Sequence, residues 1–254
     1  MDQILETLIS DTWNLWDSAH KTYPKLVPAD SAPILWFGDL DHYQASPRKV
    51  ITLGINPGPL AFPKADPWRL YPLLEDSNTR HTANLYKQAL DEFQFDQWFR
   101  PFNALLSSFG TSYNNNRNGN TEALHLDVCP IMTSDVWSKL PTKTRRDLAQ
   151  RSASITVRLL EYLQPEFLFI SLSQGNLNLL APHLDLSVPT NKTCVTTPSS
   201  GVKHQVLDLA CPILANSQVV WFRKSGIRPI SPAGDSLRDL SAFFSGQTTI
   251  DPRQ

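Results

Sequence analysis

The chain is predicted to be an α/β protein, a three-layer αβα arrangement around a mostly parallel sheet. Short apolar, β-branched runs alternate with longer stretches of helical periodicity, the pattern of strands joined by crossover helices. The 254 residues are 41% hydrophobic and 19% charged, enough to bury one substantial core, and no shift in composition marks a linker. Polar clusters follow the apolar runs, which is where open parallel sheets bind ligands, beyond the carboxyl ends of their strands. The whole chain, 1–254, is therefore read as one domain.

In chain order, helical periodicity covers 2–18. A short apolar run at 34–37 is a minor strand candidate, and the β-branched run 50–53 is a strong one. Helices follow at about 80–95 and 98–108. The stretch 112–120, rich in Asn and Gly, is an exposed loop. A strand spans 123–128. The next helix, 144–163, is expected to open on a capping box of Thr144 and Asp147 and to close before Pro165. A strand at 167–171, a helix at about 174–182, a strand at 193–197, a helix at about 203–215 and a strand at 219–222 complete the order.

Charge limits the partners. Lys and Arg total 23 against 24 acids, so the broad basic footprint of a protein that coats nucleic acid is missing. Local contact with a few phosphates needs only a modest rim, such as Lys139, Lys143, Arg145 and Arg146, or Arg223, Lys224 and Arg228. No apolar stretch approaches the roughly 20 residues that cross a bilayer. The first residues lack the pattern of a signal peptide, and the expected location is the cytoplasm. Three cysteines, Cys129, Cys194 and Cys211, are odd in number and far apart, which argues against disulfides and four-thiolate metal sites and reads as buried thiols. The six histidines show no metal-binding spacing; His204, beside a candidate phosphate loop, is the one singled out. No cofactor is expected.

Four clusters end strands: Gly54-Ile55-Asn56-Pro57-Gly58-Pro59, Asp127-Val128-Cys129-Pro130, Ser171 with Ser173, and Thr197-Pro198-Ser199-Ser200-Gly201. In the first, Gly and Pro shape a tight turn that presents the Asn56 amide at the sheet edge, where it could hold a water. An ordinary strand-to-loop turn, with Asn56 capping its own backbone, fits the same residues. Asp127 is either a ligand-reading carboxylate or a strand-end cap. Pro-Ser-Ser-Gly also suits a plain loop before a helix.

Taken together, Gly-x-Asn-Pro-Gly-Pro and the segment ending in Cys-Pro resemble the uracil-DNA glycosylase superfamily, nearest its single-strand-selective and mismatch-specific branches. The match covers roughly residues 34–222 in strand order and rests on fewer than about 25 positions, a match of fold and site. The resemblance implies a monofunctional DNA glycosylase that flips a base and hydrolyses its glycosidic bond, leaving an abasic site. It makes Asn56, Asp127 and Thr197 the catalytic set, and gives Gly54, Ile55, Asp127, Trp68 and, second to it, Tyr71 to the base pocket. Pro57, Gly58, Ser199, Ser200, Gly201, Val202 and Lys203 fall to DNA contact, with Val202 or Lys203 as a wedge. DNA is the implied partner, and no protein partner is evident.

Two positions depart from the family pattern. Asp127 stands where the single-strand-selective branch has a base-reading Asn. An amide both donates and accepts, as uracil requires, whereas a carboxylate only accepts and suits the exocyclic amine of cytosine; a protonated carboxyl could also donate to N3. Thr197 stands where a His or Asn is usual, so assistance to the departing base is weaker. Because excision of plain cytosine would destroy the cell's own genome, the expected substrate carries a substituent at C5, as hypermodified viral DNA does. The competing readings are ordinary uracil repair, a binding module that has lost catalysis, and an α/β hydrolase acting on a small nucleotide.

Overall fold

A computed structural model describes residues 2–92, 99, 102–107, 109–113, 121–187, 192–196 and 203–224. Helix α1 (Gln3–Thr22) is capped by Asp2, whose carboxylate accepts the Leu5 N–H at 2.8 Å. It buries Leu5, Leu8, Ile9, Thr12, Trp13, Trp16 and Ala19, a stripe at three- and four-residue spacing. Helix α2 (Leu40–Ala45) and strand β1 (Val50–Gly54) follow; then come helices α3 (Ala83–Asp91) and α4 (Phe102–Ser107) and strands β2 (Thr111–Ser112), β3 (Thr121–Glu122) and β4 (Leu124–Asp127). The long helix α5 (Thr142–Leu163) leads to β5 (Phe167–Ile170), α6 (Gln174–Leu184), β6 (Lys192–Thr196), β7 (Lys203–Leu209) and β8 (Gln218–Lys224).

Six strands form one sheet in the order β4-β1-β5-β8-β7-β6. The pairs β4·β1, β1·β5 and β5·β8 are parallel, and β8·β7 and β7·β6 are antiparallel, so every strand of this sheet except β7 runs the same way. Each residue of β1 and β4 is buried, which requires cover on both faces of the sheet. This is an α/β fold with a mixed, mostly parallel sheet. On one side α1 and α5 are fastened by the ion pair Arg158–Asp11 (2.7 Å) and by the Tyr23 hydroxyl donating to Asp147 (3.0 Å). Among the described residues no helix is long and apolar enough to cross a membrane.

Four expectations change. The run 203–215 is not a helix: Lys203–Leu209 is β7, followed by a 3-10 turn at Pro212–Leu214. Its Val206, Leu207 and Leu209 suit either period, and pairing with strands on both sides decides for the strand. The run 34–37 makes only the bridge Phe37↔His125, with Pro33↔Ile131 just before it and Gly38 at φ 118 just after it. Helix α5 starts at Thr142 after Pro141 with no side-chain cap, and Thr144 is buried, so the proposed capping box is absent. The loop 112–120 begins as strand β2, and its residues 114–120 lie outside the described ones.

Register explains a projection at the carboxyl edge. Leu126, Leu53, Ile170, Trp221, Leu207 and Lys192 lie on one line across the sheet. Beyond that line β4 and β1 run one residue further, whereas β8 runs to Lys224 and β6 to Thr196. The antiparallel arm therefore rises about 10 Å above the edge at roughly 3.3 Å per residue.

One buried carboxyl makes stability depend on pH. Glu122, 3% exposed, accepts the Asp39 N–H on Oε1 at 2.9 Å, while its Oε2 has no hydrogen-bond partner among the described residues. Burial pushes this carboxyl up to about 7, above the ordinary 4.5. Between those values the folded chain holds a proton that the unfolded chain has released. Its contribution is thus complete below pH 4.5 and is lost as pH rises through about 7. Glu122→Gln, which keeps the acceptor for Asp39, should flatten the fall of the unfolding midpoint across this window; an unchanged slope in thermal melts would refute the assignment.

Candidate functional site

Strands β1 and β4 carry the site. Gly54 is paired with Asp127, and the pairing continues past the strands, with the Val128 N–H on the Gly54 carbonyl (3.1 Å) and the Cys129 N–H on that of Ile55 (2.9 Å). The two loops thus leave the sheet side by side and enclose a cavity of about 330 Å³. Asn56, Pro57, Gly58 and Pro59 form one wall, Val136 stands on the second loop, and His125 and Asp127 lie among the lining residues with Phe37 and Phe99. Among the lining residues His125 and Asp127 are the only ionisable ones.

Asn56 is held by its amide nitrogen. Nδ2 donates to the Pro57 carbonyl (3.0 Å), to Thr133 Oγ1 (3.1 Å) and, at 3.4 Å, to the Ile131 carbonyl. Carbonyl oxygens only accept, so the NH₂ must face them, and Oδ1, which has no partner among the described residues, is left to accept from a ligand or water. Thr133 is fixed in turn by donating to the Asp135 carbonyl at 2.8 Å.

His125 is 1% exposed and sits among the rings of Phe37, Phe99, Phe102 and Tyr113 at centroid distances of 5.6, 5.4, 6.0 and 6.4 Å. Its Nδ1 meets Thr52 Oγ1 at 2.7 Å, and Thr52 also bonds the Tyr113 hydroxyl. Its Nε2 lies 3.6 Å from Asp127 Oδ1. Burial raises the Tyr113 phenol, which stays neutral and able to donate. If Tyr113 donates to Thr52 and Thr52 to Nδ1, the ring proton sits on Nε2, facing the carboxylate.

Of the predicted site residues, Asn56, Asp127, Pro57 and Gly58 line the cavity. Gly54 and Ile55 lie behind it, Gly54 in contact with Asp127 and Ile55 against the core. Trp68 and Tyr71 are not brought to it. Tyr71 is fully buried and stacked on Phe62 (5.2 Å, 26°), and Trp68 meets the same ring edge-on. The Arg80 guanidinium covers Trp13, Trp16 and Trp68 at 5.4–5.7 Å, so the aromatics after Asn56 fasten their loop to α1. Phe37 and Phe99 are the rings that face the cavity.

Thr197, Ser199, Ser200, Gly201 and Val202 lie outside the described residues, as does Arg228 with the rest of 225–254. The side chains of Cys194, His204, Arg223 and Lys224 lie outside them as well. Lys203 begins strand β7, so no helix starts there to offer its N-terminus to a phosphate. Thr196, the last described residue before that motif, ends β6, four strand spacings from β1 or about 19 Å at ~4.8 Å each. Ser171 donates its N–H to the Leu53 carbonyl, and Ser173 caps α6 by accepting the Asn176 N–H; both are structural. Cys129 is buried and its thiol is pushed up to about 11, which excludes a thiolate nucleophile at neutral pH. Among the described residues no three His, Cys, Asp or Glu side chains are grouped to hold a metal ion.

His125, Phe37 and Phe99 were missed by sequence reasoning. The first was legible: in Leu124-His125-Leu126-Asp127 the polar residues alternate with apolar ones, which puts 125 and 127 on one face of a buried strand. Set against known proteins, the chain matches no family model, and no curated protein matches it.

Gly54 is needed for close approach. A Cβ there would lie 2.5 Å from Asp127 Oδ1 and 3.0 Å from His125 Nε2. Gly54→Ala should cost about 1–3 kcal/mol by overpacking, seen as a lower unfolding midpoint, and the cost should shrink in an Asp127→Ala background. A Gly54→Ala variant as stable as the parent would contradict the packing.

Proposed function

We propose that the chain is a monofunctional DNA glycosylase of the uracil-DNA glycosylase type, with that superfamily's three-layer αβα fold, acting on a cytosine-type base. The observation that carries this reading is that Asn56, on the loop after β1, and Asp127, at the end of the adjacent parallel strand β4 opposite Gly54, line one cavity whose remaining walls are largely apolar. A base turned out of the stack would lie against Phe37 or Phe99. Its exocyclic amine would donate to Asp127.

Asn56 Oδ1 would accept a hydrogen bond from a water and turn its lone pair toward the sugar carbon. As the glycosidic bond breaks, the electron pair leaves with the base and the sugar becomes oxocarbenium-like. Water adds its oxygen to that carbon, and its proton is released as the base is protonated, so the products are free base and abasic site. The described lining offers no amine nucleophile, in keeping with simple hydrolysis. Contact with the phosphates beside the flipped nucleotide is assigned to Ser199, Ser200, Gly201, Val202 and Lys203; no assistance to the leaving base is assigned to Thr197, because β6 ends at Thr196, four strands away from β1.

Size bears on the substrate. At about 30 Å³ per liquid water the cavity has room for on the order of ten waters, which leaves space for a base larger than plain cytosine. The reading includes a C5 substituent, such as hydroxymethyl or its glycosylated form, and a role in defence against viruses with modified DNA, because excision of plain cytosine would destroy the cell's own genome. Thr197 favours a second reading, a binding module without catalysis.

The test uses matched single-stranded and duplex oligonucleotides containing cytosine, hydroxymethylcytosine, glucosylated hydroxymethylcytosine or uracil, treated with alkali after incubation. Cleavage at substituted cytosine is expected. Cleavage at uracil alone would return the chain to repair, cleavage of none would favour the binding module, and hydrolysis of free nucleotides would favour an unrelated hydrolase. On the cleaved substrate Asn56→Ala should slow the single-turnover rate about a hundredfold or more, while the unfolding midpoint falls only by what its lost hydrogen bonds to Thr133 and the Ile131 carbonyl contribute, about 1–3 kcal/mol. Asp127→Asn should shift preference toward uracil by about tenfold or more, since an amide supplies the donor that a carboxylate lacks. Unchanged preference would remove Asp127 from base reading.

A further inference from the structure

The chain carries a net charge of −1, yet one part of its surface is strongly basic. The segments 21–25 and 139–147 hold six cations, Lys21, Lys25, Lys139, Lys143, Arg145 and Arg146, and a single carboxylate, Asp147. That carboxylate is already engaged, accepting from the Tyr23 hydroxyl at 3.0 Å and pairing with Arg151 at 3.3 Å. Among the described residues none of the six cations has an ion-pair partner, whereas Arg48, Lys87, Arg151 and Arg158 each have one. All but Arg145 are exposed. The two segments meet at the loop that follows β4, where Ser134 donates its N–H to the Leu26 carbonyl (2.8 Å) and its hydroxyl to that of Lys25 (3.1 Å). On the same loop Thr133 accepts from the Asn56 amide, and Val136 lines the cavity while its carbonyl accepts the Lys139 N–H at 2.9 Å. The cations therefore flank one wall of the site, and Asp135 is the one acid of that loop. Helix electrostatics work against three of them. Lys143, Arg145 and Arg146 fall within the first five residues of α5, where the dipole disfavours cations and no acid of the first turn offsets them. Like charges gathered without counterions also repel one another.

We infer that this face is a second DNA-binding surface, which takes the sugar-phosphate backbone where it leaves the cavity and lays it across the start of α5 and the end of α1. For the nature of the polymer this rests on the glycosylase reading. Exposed cations drawn from two segments fit a line of phosphates, whereas a single small anion would need donors that converge on one point. Contacts of this kind position the polymer and read no bases. The face is separate from the phosphate contacts assigned to Ser199 and Ser200, which follow β6 at the far edge of the sheet from β4. It also reconciles contact with DNA and a net charge of −1, since the positive field is concentrated beside the cavity.

The experiment avoids any dependence on the identity of the base. Binding of a fluorescent duplex of ordinary sequence is followed by anisotropy between about 50 and 200 mM salt, where each neutralised phosphate contributes about 0.9 to the slope of log affinity against log salt concentration. Lys139→Gln, Lys143→Gln and Arg146→Gln should each lower that slope by about one, and the triple variant by about three, equally on duplexes of unrelated sequence. Lys143→Arg should keep the slope. Arg48→Gln, which removes a cation just before β1 at the amino edge of the sheet, should keep it as well. The Gln variants should melt at or above the parent, because losing these charges relieves the start of α5. A triple variant with the wild-type slope, beside a wild type that binds, would overturn the face and leave the glycosylase reading standing. If the slope falls as expected but no base is released from any of the oligonucleotides above, the face stands and the glycosylase reading falls. A wild type with no measurable binding at the lowest salt would overturn both.

Discussion

The parallel pairing of β1 with β4 runs two residues beyond the strands, through the hydrogen bonds from Val128 and Cys129 to Gly54 and Ile55. Nearly every feature of the cavity depends on this extension. It holds the loop after Gly54 against the loop after Asp127, so that Asn56 can reach the Ile131 carbonyl and Thr133. It also sets His125 and Asp127, two apart on β4, on the same side as the empty flank of Gly54. Because β1 and β4 are buried throughout, a slip of one residue would turn these polar side chains into the core, and the register is therefore strongly fixed.

The cavity combines two kinds of rigidity. Asn56 is fixed by three acceptors that face only its nitrogen, which leaves its oxygen oriented and open. His125 is fixed by packing among rings and by Thr52 on Nδ1, and its Nε2 stands 3.6 Å from Asp127, beyond hydrogen-bond distance. Such preorganisation costs stability when it is assembled and saves reorganisation when a ligand binds. The aromatic loop that follows Asn56 is pinned at a distance, through Arg80 over three indoles of α1 and of the loop itself.

Much of this was legible in the sequence. The strands at 50–53, 123–128, 167–171 and 219–222 and the helices at 2–18 and 144–163 recur in the structure with shifted ends, because their apolar periods agree with their tertiary roles. Residues 203–215 were misread since Val206, Leu207 and Leu209 fit both periods, and only the neighbouring strands settle such a segment. At the cavity, Asn56 and Asp127 announced themselves by following strands. Trp68 and Tyr71 did not separate from Phe37 and Phe99, because an aromatic residue in a loop looks the same in sequence whether it faces a pocket or packs inward. Tertiary contacts with Phe62 and Arg80 made that choice.

The empty flank of Gly54 has a bearing on how such a pocket can change through mutation. With Asp127 Oδ1 only 2.5 Å from where a Cβ would stand, positions 54 and 127 share one small volume. A glutamate at position 127 needs more room than the pair contains, and any side chain at position 54 is barred while a carboxylate fills the space. The accessible steps are isosteric ones, Asp to Asn above all, which exchange hydrogen-bonding character without altering shape. A lineage could therefore exchange the donor and acceptor pattern that the cavity presents by a single codon change. Accepting a differently shaped group at that point would require two coordinated replacements, and any enlargement of the cavity is left to its opposite, apolar side.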